Sequence, residues 1–87
     1  MVQIESEVFH DENVTIVLNW AQGDNEFYNA SIVPSAPMLL DTGSTIIQLT
    51  LQYNTHYSVS IVAFLCEYNT TDVVDLYYGK KIWILVV

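Results

Sequence analysis

The sequence predicts an all-β domain built as an antiparallel sandwich, and three observations lead to this class. Apolar and polar residues alternate with a period of two over several short stretches, which is the pattern of strands with one buried face. Valine, isoleucine, threonine and tyrosine are abundant and alanine is scarce, which favours strands over helices. The 87 residues are enough for one domain with a single core, without room for a second domain or a deep cleft.

The alternation predicts three strands in the first half of the chain. Val2 to Val8 is expected to be an edge strand, Val14 to Trp20 a second strand, and Phe27 to Val33 a third strand. Trp20 and Tyr28 face inward in these registers, and Trp20 is a main core residue. On the first strand, the apolar residues Val2, Ile4 and Val8 share one face, and the acidic residues Glu5 and Glu7 lie on the outer face.

The second half of the chain contains an edge segment and three further strands. Pro34 and Pro37 lack backbone N–H groups, so Ser35 to Leu40 is expected to be an edge strand or an irregular crossing. Thr45 to Leu51 alternates as the next strand. The last strand is predicted over Asp72 to Tyr78, after a polar loop.

Leu51 to Ala63 is the most informative stretch of the chain. From Tyr57 onward its residues alternate as a half-buried strand, and Tyr53-Asn54-Thr55 before it reads as a turn. A tyrosine at the head of such a strand can direct its hydroxyl to backbone groups a few residues upstream, which is the tyrosine corner of two-sheet β proteins. We therefore expect Leu51 and Tyr57 to be structural core residues.

The order Leu-x-Tyr-Asn-Thr-x-Tyr-x-Val-x-Ile-x-Ala in this stretch resembles the E–F corner and F strand of fibronectin type III domains. That family more often has proline and glycine where Tyr53 and Asn54 stand. The resemblance extends over Val2 to Tyr78 and implies a seven-stranded antiparallel Greek-key β-sandwich, fibronectin type III or immunoglobulin-like. In that family's lettering the predicted strands are A, B, C, C′, E, F and G in chain order, and the resemblance implies sheets A-B-E and C′-C-F-G, with Ser35 to Leu40 as strand C′ beside the third strand. Trp20 on strand B, rather than on strand C, favours fibronectin type III over a true immunoglobulin domain.

The end of the sequence differs from the rest. We expect residues 1–79 to form the domain and residues 80–87 to be an apolar C-terminal tail. The run Ile82 to Val87 is far shorter than the ~20 residues that span a bilayer, so we expect no membrane insertion by this segment. It is expected to continue the last strand or to pair with a neighbouring copy. The positive charges of Lys80-Lys81 are expected to oppose unwanted pairing at an exposed strand edge. A truncated membrane-spanning helix is the alternative.

Charge excludes nucleic acid as a partner. Two basic residues stand against ten acidic ones, for a net charge of −8, so the chain cannot neutralise a phosphate backbone. The first residues contain no basic and apolar run typical of a signal peptide, which suggests a segment of a longer protein.

Three Asn-x-Ser/Thr sequons are candidates for N-glycosylation, at Asn13, Asn29 and Asn69. Asn13 is expected in a turn, Asn29 on the outward face of a strand and Asn69 in the loop before the last strand. None points into the predicted core, which favours an extracellular or cell-surface location. The alternative is that Asn, Ser and Thr are simply suited to turns and outward strand faces.

No pattern in the sequence indicates catalysis or a cofactor. His10, His56 and Cys66 form no set of nucleophile, base and orienting group, and the acidic residues lack the spacing of a calcium loop. We expect His56 to be a solvated loop residue. Cys66 has no partner for an internal disulfide, and the functional alternative for its thiol is an intermolecular disulfide.

The resemblance implies a non-enzymatic extracellular module for adhesion, protein recognition or spacing in a larger cell-surface or matrix protein. Its partner is expected to be a protein, and the candidate contact loop is Glu67, Tyr68 and Asn69. The alternative is an accessory spacer or sugar-binding module of a secreted carbohydrate-degrading enzyme. Exposure of Tyr68, Tyr77 and Trp83 on one surface would favour the sugar-binding module.

Overall fold

The fold consists of seven β-strands in two antiparallel sheets. The structure is a computed structural model that describes residues 2–23, 27–40, 45–65 and 68–80, with the backbone alone for Leu65 and Tyr68. Within these ranges there is no helix. The strands are β1 (Val2–Phe9), β2 (Asn13–Trp20), β3 (Phe27–Val33), β4 (Met38–Leu40), β5 (Ile46–Gln52), β6 (His56–Leu65) and β7 (Tyr68–Tyr77).

One sheet has the strand order β1-β2-β5-β4 and the other has the order β3-β6-β7. All neighbouring strands run antiparallel. The chain therefore passes from one sheet to the other three times, after β2, after β3 and after β5. The predicted all-β class with two antiparallel sheets is confirmed.

The two sheets pack on one apolar core that the period-two alternation creates. Residues at alternate positions of β2 and β5 are buried, and they meet alternate residues of β6 and β7 from the other sheet. Trp20 is 8% exposed, and Tyr28 packs against the core from β3, so both predicted inward positions are confirmed. The buried core residues are Val14, Ile16, Leu18, Trp20, Ile47, Leu49, Leu51, Tyr57, Val59, Ile61 and Leu76.

The short strand β4 lies in a different sheet from the one expected. An edge strand was predicted within Ser35 to Leu40, and this is confirmed, but Met38–Leu40 pairs with β5 and not beside β3. Pro37 lacks an N–H group but keeps its carbonyl, which accepts the Thr50 N–H at 3.0 Å. This bond and the following ladder attach the segment to β5, so the expected C′-C-F-G sheet is wrong.

A bulge in β1 changes which of its residues face the core side. Ile4 pairs with Leu18, but Ser6 pairs with Val17, so the register shifts by one residue between them. A one-residue shift moves all following side chains to the opposite face. Glu7 is consequently opposite the buried Ile16 and lies on the core side of the sheet, so the face predicted for it is wrong, although its side chain remains exposed. Val8, predicted on the apolar face, lies on the outer side, and Phe9 is on the core side opposite Val14 but is 61% exposed.

Strand β7 begins four residues earlier than the sequence indicated. The prediction placed a loop before Asp72, whereas the pairing with β6 continues without interruption to Leu65 opposite Tyr68. The polar run contains Thr70 and Thr71, and β-branched threonine suits a strand even without an apolar face. The F–G loop that had been assigned to Tyr68 and Asn69 is therefore wrong.

Truncation of Trp20 tests its role in the core. Trp20→Ala should lower the free energy of unfolding by about 3–5 kcal/mol, because it leaves a large cavity between the sheets. The indole Nε1 is buried without a hydrogen-bond partner, so Trp20→Phe sacrifices no hydrogen bond and should cost less than half as much. Chemical denaturation monitored by far-UV circular dichroism measures both. Equal losses in the two variants would contradict the packing described here.

Candidate functional site

Tyr57 joins the two sheets at one end of the sandwich. Its side chain is 5% exposed, and its hydroxyl accepts the backbone N–H of Gln52 at 3.1 Å. The N–H groups of Thr50 and Gln52 point to the same side of β5, because alternate residues of a strand direct their hydrogen-bonding groups alike. Thr50 donates to Pro37, and Gln52 lies beyond that contact. The Tyr57 hydroxyl thus replaces a strand partner, and the predicted bond to the upstream backbone is present.

Asn54 holds the turn that precedes this tyrosine. Its φ of 59° is in the left-handed region, which asparagine tolerates better than most residues. Its N–H donates to the carbonyl of Tyr78 at 2.7 Å, and its side-chain Oδ1 accepts the N–H of Lys80 at 3.1 Å. Asn54 therefore fixes the turn and also binds the chain that leaves β7.

Tyr53 and Lys80 connect this turn to the turn between β1 and β2. The Tyr53 hydroxyl donates to the carbonyl of His10 at 2.6 Å. The Lys80 ammonium donates to the carbonyl of Asp11 and lies 5.5 Å from the centre of the Tyr53 ring, within cation–π range. Lys80 therefore binds the β1–β2 turn, while Lys81 and the apolar run that follows it lie outside the described residues. These contacts join residues far apart in sequence, and no local pattern indicated them.

The exposed Glu7, on the core side of β1, is bound by Tyr78. The Tyr78 hydroxyl donates to the Glu7 carboxylate at 2.5 Å, and the Tyr78 ring meets Phe9 edge to face at 5.8 Å. Burial raises the pKa of Tyr78 well above its usual range, and the hydrogen bond and the negative charge of Glu7 raise it further. The phenol therefore keeps its proton, and its hydrogen bond to Glu7, further into the alkaline range than an ordinary tyrosine would.

The opposite end of the sandwich contains a small cavity. The rings of Trp20 and Tyr28 pack edge to face at 5.4 Å, and the Tyr28 hydroxyl accepts the N–H of Gly23 at 2.8 Å. These two rings, with Ile61 and Asp72, border a cavity of about 140 Å³. Ligand sites are usually of the order of 300–1,000 Å³. The cavity has room for a few water molecules and not for a drug-sized ligand.

Two of the three sequons lie on the outer face of the three-stranded sheet. Asn29 on β3 and Asn69 on β7 are both exposed, and β6 lies between them. Asn13 is the first residue of β2, and its carbonyl accepts the N–H of His10 to close the β1–β2 turn. The structure thus keeps all three side chains out of the core, although Asn69 lies in a strand and not in a loop.

The predicted contact loop does not exist as a loop in the part that is described. Tyr68 and Asn69 belong to β7, and Glu67 lies outside the described residues. Of the aromatic residues named for a sugar-binding surface, Tyr77 is 49% exposed, and its ring stacks on His56 with centroids 4.2 Å apart. The Tyr68 side chain and Trp83 lie outside the described residues.

The two described candidate catalytic groups, His10 and His56, each contact a different side chain. His10, in the β1–β2 turn, contacts the Thr15 hydroxyl through Nε2 at 3.1 Å. His56 is the first residue of β6 and not a loop residue, and Cys66 lies outside the described ranges, as does the tail from residue 81 onward. Within those ranges no three His, Cys, Asp or Glu residues come together to hold a metal ion. The same residues include no helix long and apolar enough to cross a membrane.

No protein-family model, no curated protein and no solved structure matches this chain. The likeness to fibronectin type III domains therefore depends on the chain's own residues, above all on the stretch that contains Tyr57.

Removing the Tyr57 hydroxyl should weaken the domain. In Tyr57→Phe the Gln52 N–H loses its acceptor in a partly buried position, so we expect a loss of roughly 1–3 kcal/mol in the free energy of unfolding. Tyr77→Phe, at an exposed ring, is the matched control and should cost under about 0.5 kcal/mol. Urea denaturation of both variants is the measurement, and an unchanged midpoint in Tyr57→Phe would be incompatible with this role.

Substitution of Asn54 separates the backbone role of this residue from its hydrogen bond. Asn54→Ala places a residue that disfavours the left-handed region at φ 59° and removes the acceptor of the Lys80 N–H, for a cost of about 1–3 kcal/mol. Asn54→Gly loses only the acceptor and should cost less. Thermal denaturation ranks the variants. If Asn54→Gly proved the less stable of the two, the turn would not depend on the left-handed conformation.

Proposed function

We propose that the sandwich is a Greek-key module of the fibronectin type III or immunoglobulin-like kind. Three crossings between the sheets and the Tyr57 bond to Gln52 support this fold. The partition into β1-β2-β5-β4 and β3-β6-β7 has the strand order of immunoglobulin constant-type domains, A-B-E-D and C-F-G. The sequence around Tyr57 and the position of Trp20 on β2 resemble fibronectin type III. The proposed module therefore has a sequence that resembles fibronectin type III and a distribution of strands between the two sheets that resembles immunoglobulin constant-type domains.

The proposed function is that of a non-enzymatic extracellular module, for adhesion, protein recognition or spacing in a larger cell-surface or matrix protein. The observation that carries the location is the exposure of Asn29 and Asn69, each with its sequon, on the outer face of the three-stranded sheet. A side chain that accepts a glycan must remain outside the core when the domain is folded. Both residues meet this requirement, and Asn13 lies at a strand end.

A protein partner has two kinds of surface available on such a module. Strands β1, β4, β3 and β7 are the edges of the two sheets, and an edge strand can accept a further strand from a partner. Strand β7 offers ten residues, from Tyr68 to Tyr77, and contains two of the three residues first proposed as a contact loop. We therefore transfer the proposed contact from a loop tip to the β7 edge.

Expression through a eukaryotic secretory pathway tests the extracellular location. We expect glycans at Asn13, Asn29 or Asn69, and intact-mass and peptide mass spectrometry detect them. Thr15→Ala, Ser31→Ala and Thr71→Ala are matched controls, because each removes one sequon while its asparagine remains.

Each control should abolish the glycan at its own site and leave the other two sites unchanged. Secreted, folded protein without a glycan at any of the three sites would contradict the extracellular proposal.

A further inference from the structure

Two exposed phenylalanines lie in one row with Asn69 on the outer face of the three-stranded sheet. Phe27 on β3 is opposite Phe64 on β6, and Phe64 is opposite Asn69 on β7. Phe27 is 68% exposed and Phe64 is 40% exposed. Side chains directly opposite on neighbouring strands have Cβ atoms about 4.5–5.5 Å apart. The Asn69 amide is therefore one strand away from the Phe64 ring and two strands away from the Phe27 ring.

This aromatic pair is unusual for its surroundings. The next row of opposite residues on this face consists of Asn29, Val62 and Thr71. The row after it consists of Ser31, Ser60 and Val73. The Phe27–Phe64 register pair places two large exposed apolar side chains on neighbouring strands at one end of this face, and clustered exposed apolar side chains often mark a binding surface. The residue that completes their row is the acceptor of an N-glycan sequon, Asn69-Thr70-Thr71.

We propose that an N-glycan on Asn69 lies over Phe64 and Phe27 and covers this pair. The inference rests on the proposed extracellular function. In the attachment step, the Asn69 amide nitrogen bonds to C1 of the first N-acetylglucosamine of a lipid-diphosphate-linked oligosaccharide. The C1–oxygen bond to the diphosphate breaks, and the proton lost from the amide neutralises one charge on the released diphosphate.

A sugar is suited to this patch because one face of a pyranose ring presents mainly C–H groups. That face can pack flat on a phenyl ring and remove apolar surface from water, while the hydroxyl groups stay solvated. An attached glycan is also held near the rings by its covalent bond, so no separate binding event has to bring it there.

The register favours Asn69 over the other two sequons. Asn29 is opposite Val62, and Asn13 is opposite Gln52 on the other sheet. Asn29 is two residues from Phe27 along the same strand, about 6.6 Å away, and it is diagonal to Phe64. Asn69 alone is directly opposite a phenylalanine.

A thermodynamic cycle on the secreted protein tests the proposal. In an Asn13→Gln/Asn29→Gln background, Asn69 is the single remaining acceptor, and Asn69→Gln in that background gives the unglycosylated reference. Glycosylated protein should have a melting temperature about 4 °C higher than the reference, as expected for a contact of moderate strength in a domain of this size. Phe64→Ser is then introduced into both forms, and the cycle cancels its direct effect on stability.

We expect Phe64→Ser to remove at least half of the glycan's increment in melting temperature, and Phe27→Ser to remove a smaller part. Val33→Ser is the control. Val33 is 69% exposed and lies on the same strand and face as Phe27, at the other end of β3 and farther from Asn69. It should leave the increment unchanged.

Two results would overturn the inference, and they differ in what they imply for the proposed function. If Asn69 carries a glycan but its increment is the same with Phe64 and with Phe64→Ser, the aromatic cover is wrong and the extracellular proposal stands. If mass spectrometry finds Asn69 unoccupied, the cover is also overturned. Occupancy of Asn13 and Asn29 in the wild-type protein then decides the extracellular proposal separately.

Discussion

The hydrogen bond between the Tyr57 hydroxyl and the Gln52 N–H determines how the two sheets of this domain meet. Gln52 ends β5 in one sheet, and Tyr57 begins the buried face of β6 in the other. The turn between β5 and β6 has only three residues, Tyr53 to Thr55, with Asn54 in the left-handed region. The edge of β5 is left without a strand partner at this point, because β4 is short. The Tyr57 side chain from the opposite sheet fills that place. One hydrogen bond therefore gives the Gln52 N–H an acceptor and also connects the two sheets.

The other contacts at this end depend on the turn that the bond holds. Strand β1 buries little apolar surface, and its Ile4 is 46% exposed, so packing alone holds it weakly. It is attached by its ladder to β2 and by Tyr78, which binds Glu7 and packs on Phe9. Tyr78 in turn is held through its carbonyl by Asn54. The first strand and the chain after the last strand are thereby fastened to the same corner.

The sequence predicted the parts of the fold that local alternation controls. The buried positions of β2 and β5, and the inward Trp20 and Tyr57, follow from a period of two. The features that were missed depend on partners far away in sequence. The bulge before Ser6 changes a register that only β2 defines, and the sheet to which β4 belongs is decided by its pairing with β5. The polar start of β7 was interpreted as a loop because it has no apolar alternation. It is a strand because it contains β-branched threonines and pairs with β6, and the pairing is not visible in the sequence. Of the candidate site, the sequons were visible as motifs. The alignment of one of them with two phenylalanines required the register.

The most direct test of this account is amide hydrogen exchange at Gln52, measured by NMR in the wild-type protein and in Tyr57→Phe. The account predicts that the Gln52 amide is protected in the wild-type protein to a degree similar to its neighbours in β5. In Tyr57→Phe this protection should fall selectively, while Leu49 in the centre of the strand stays protected. An unprotected Gln52 amide in the wild-type protein, or equal protection with and without the hydroxyl, would contradict the claim that Tyr57 joins the two sheets.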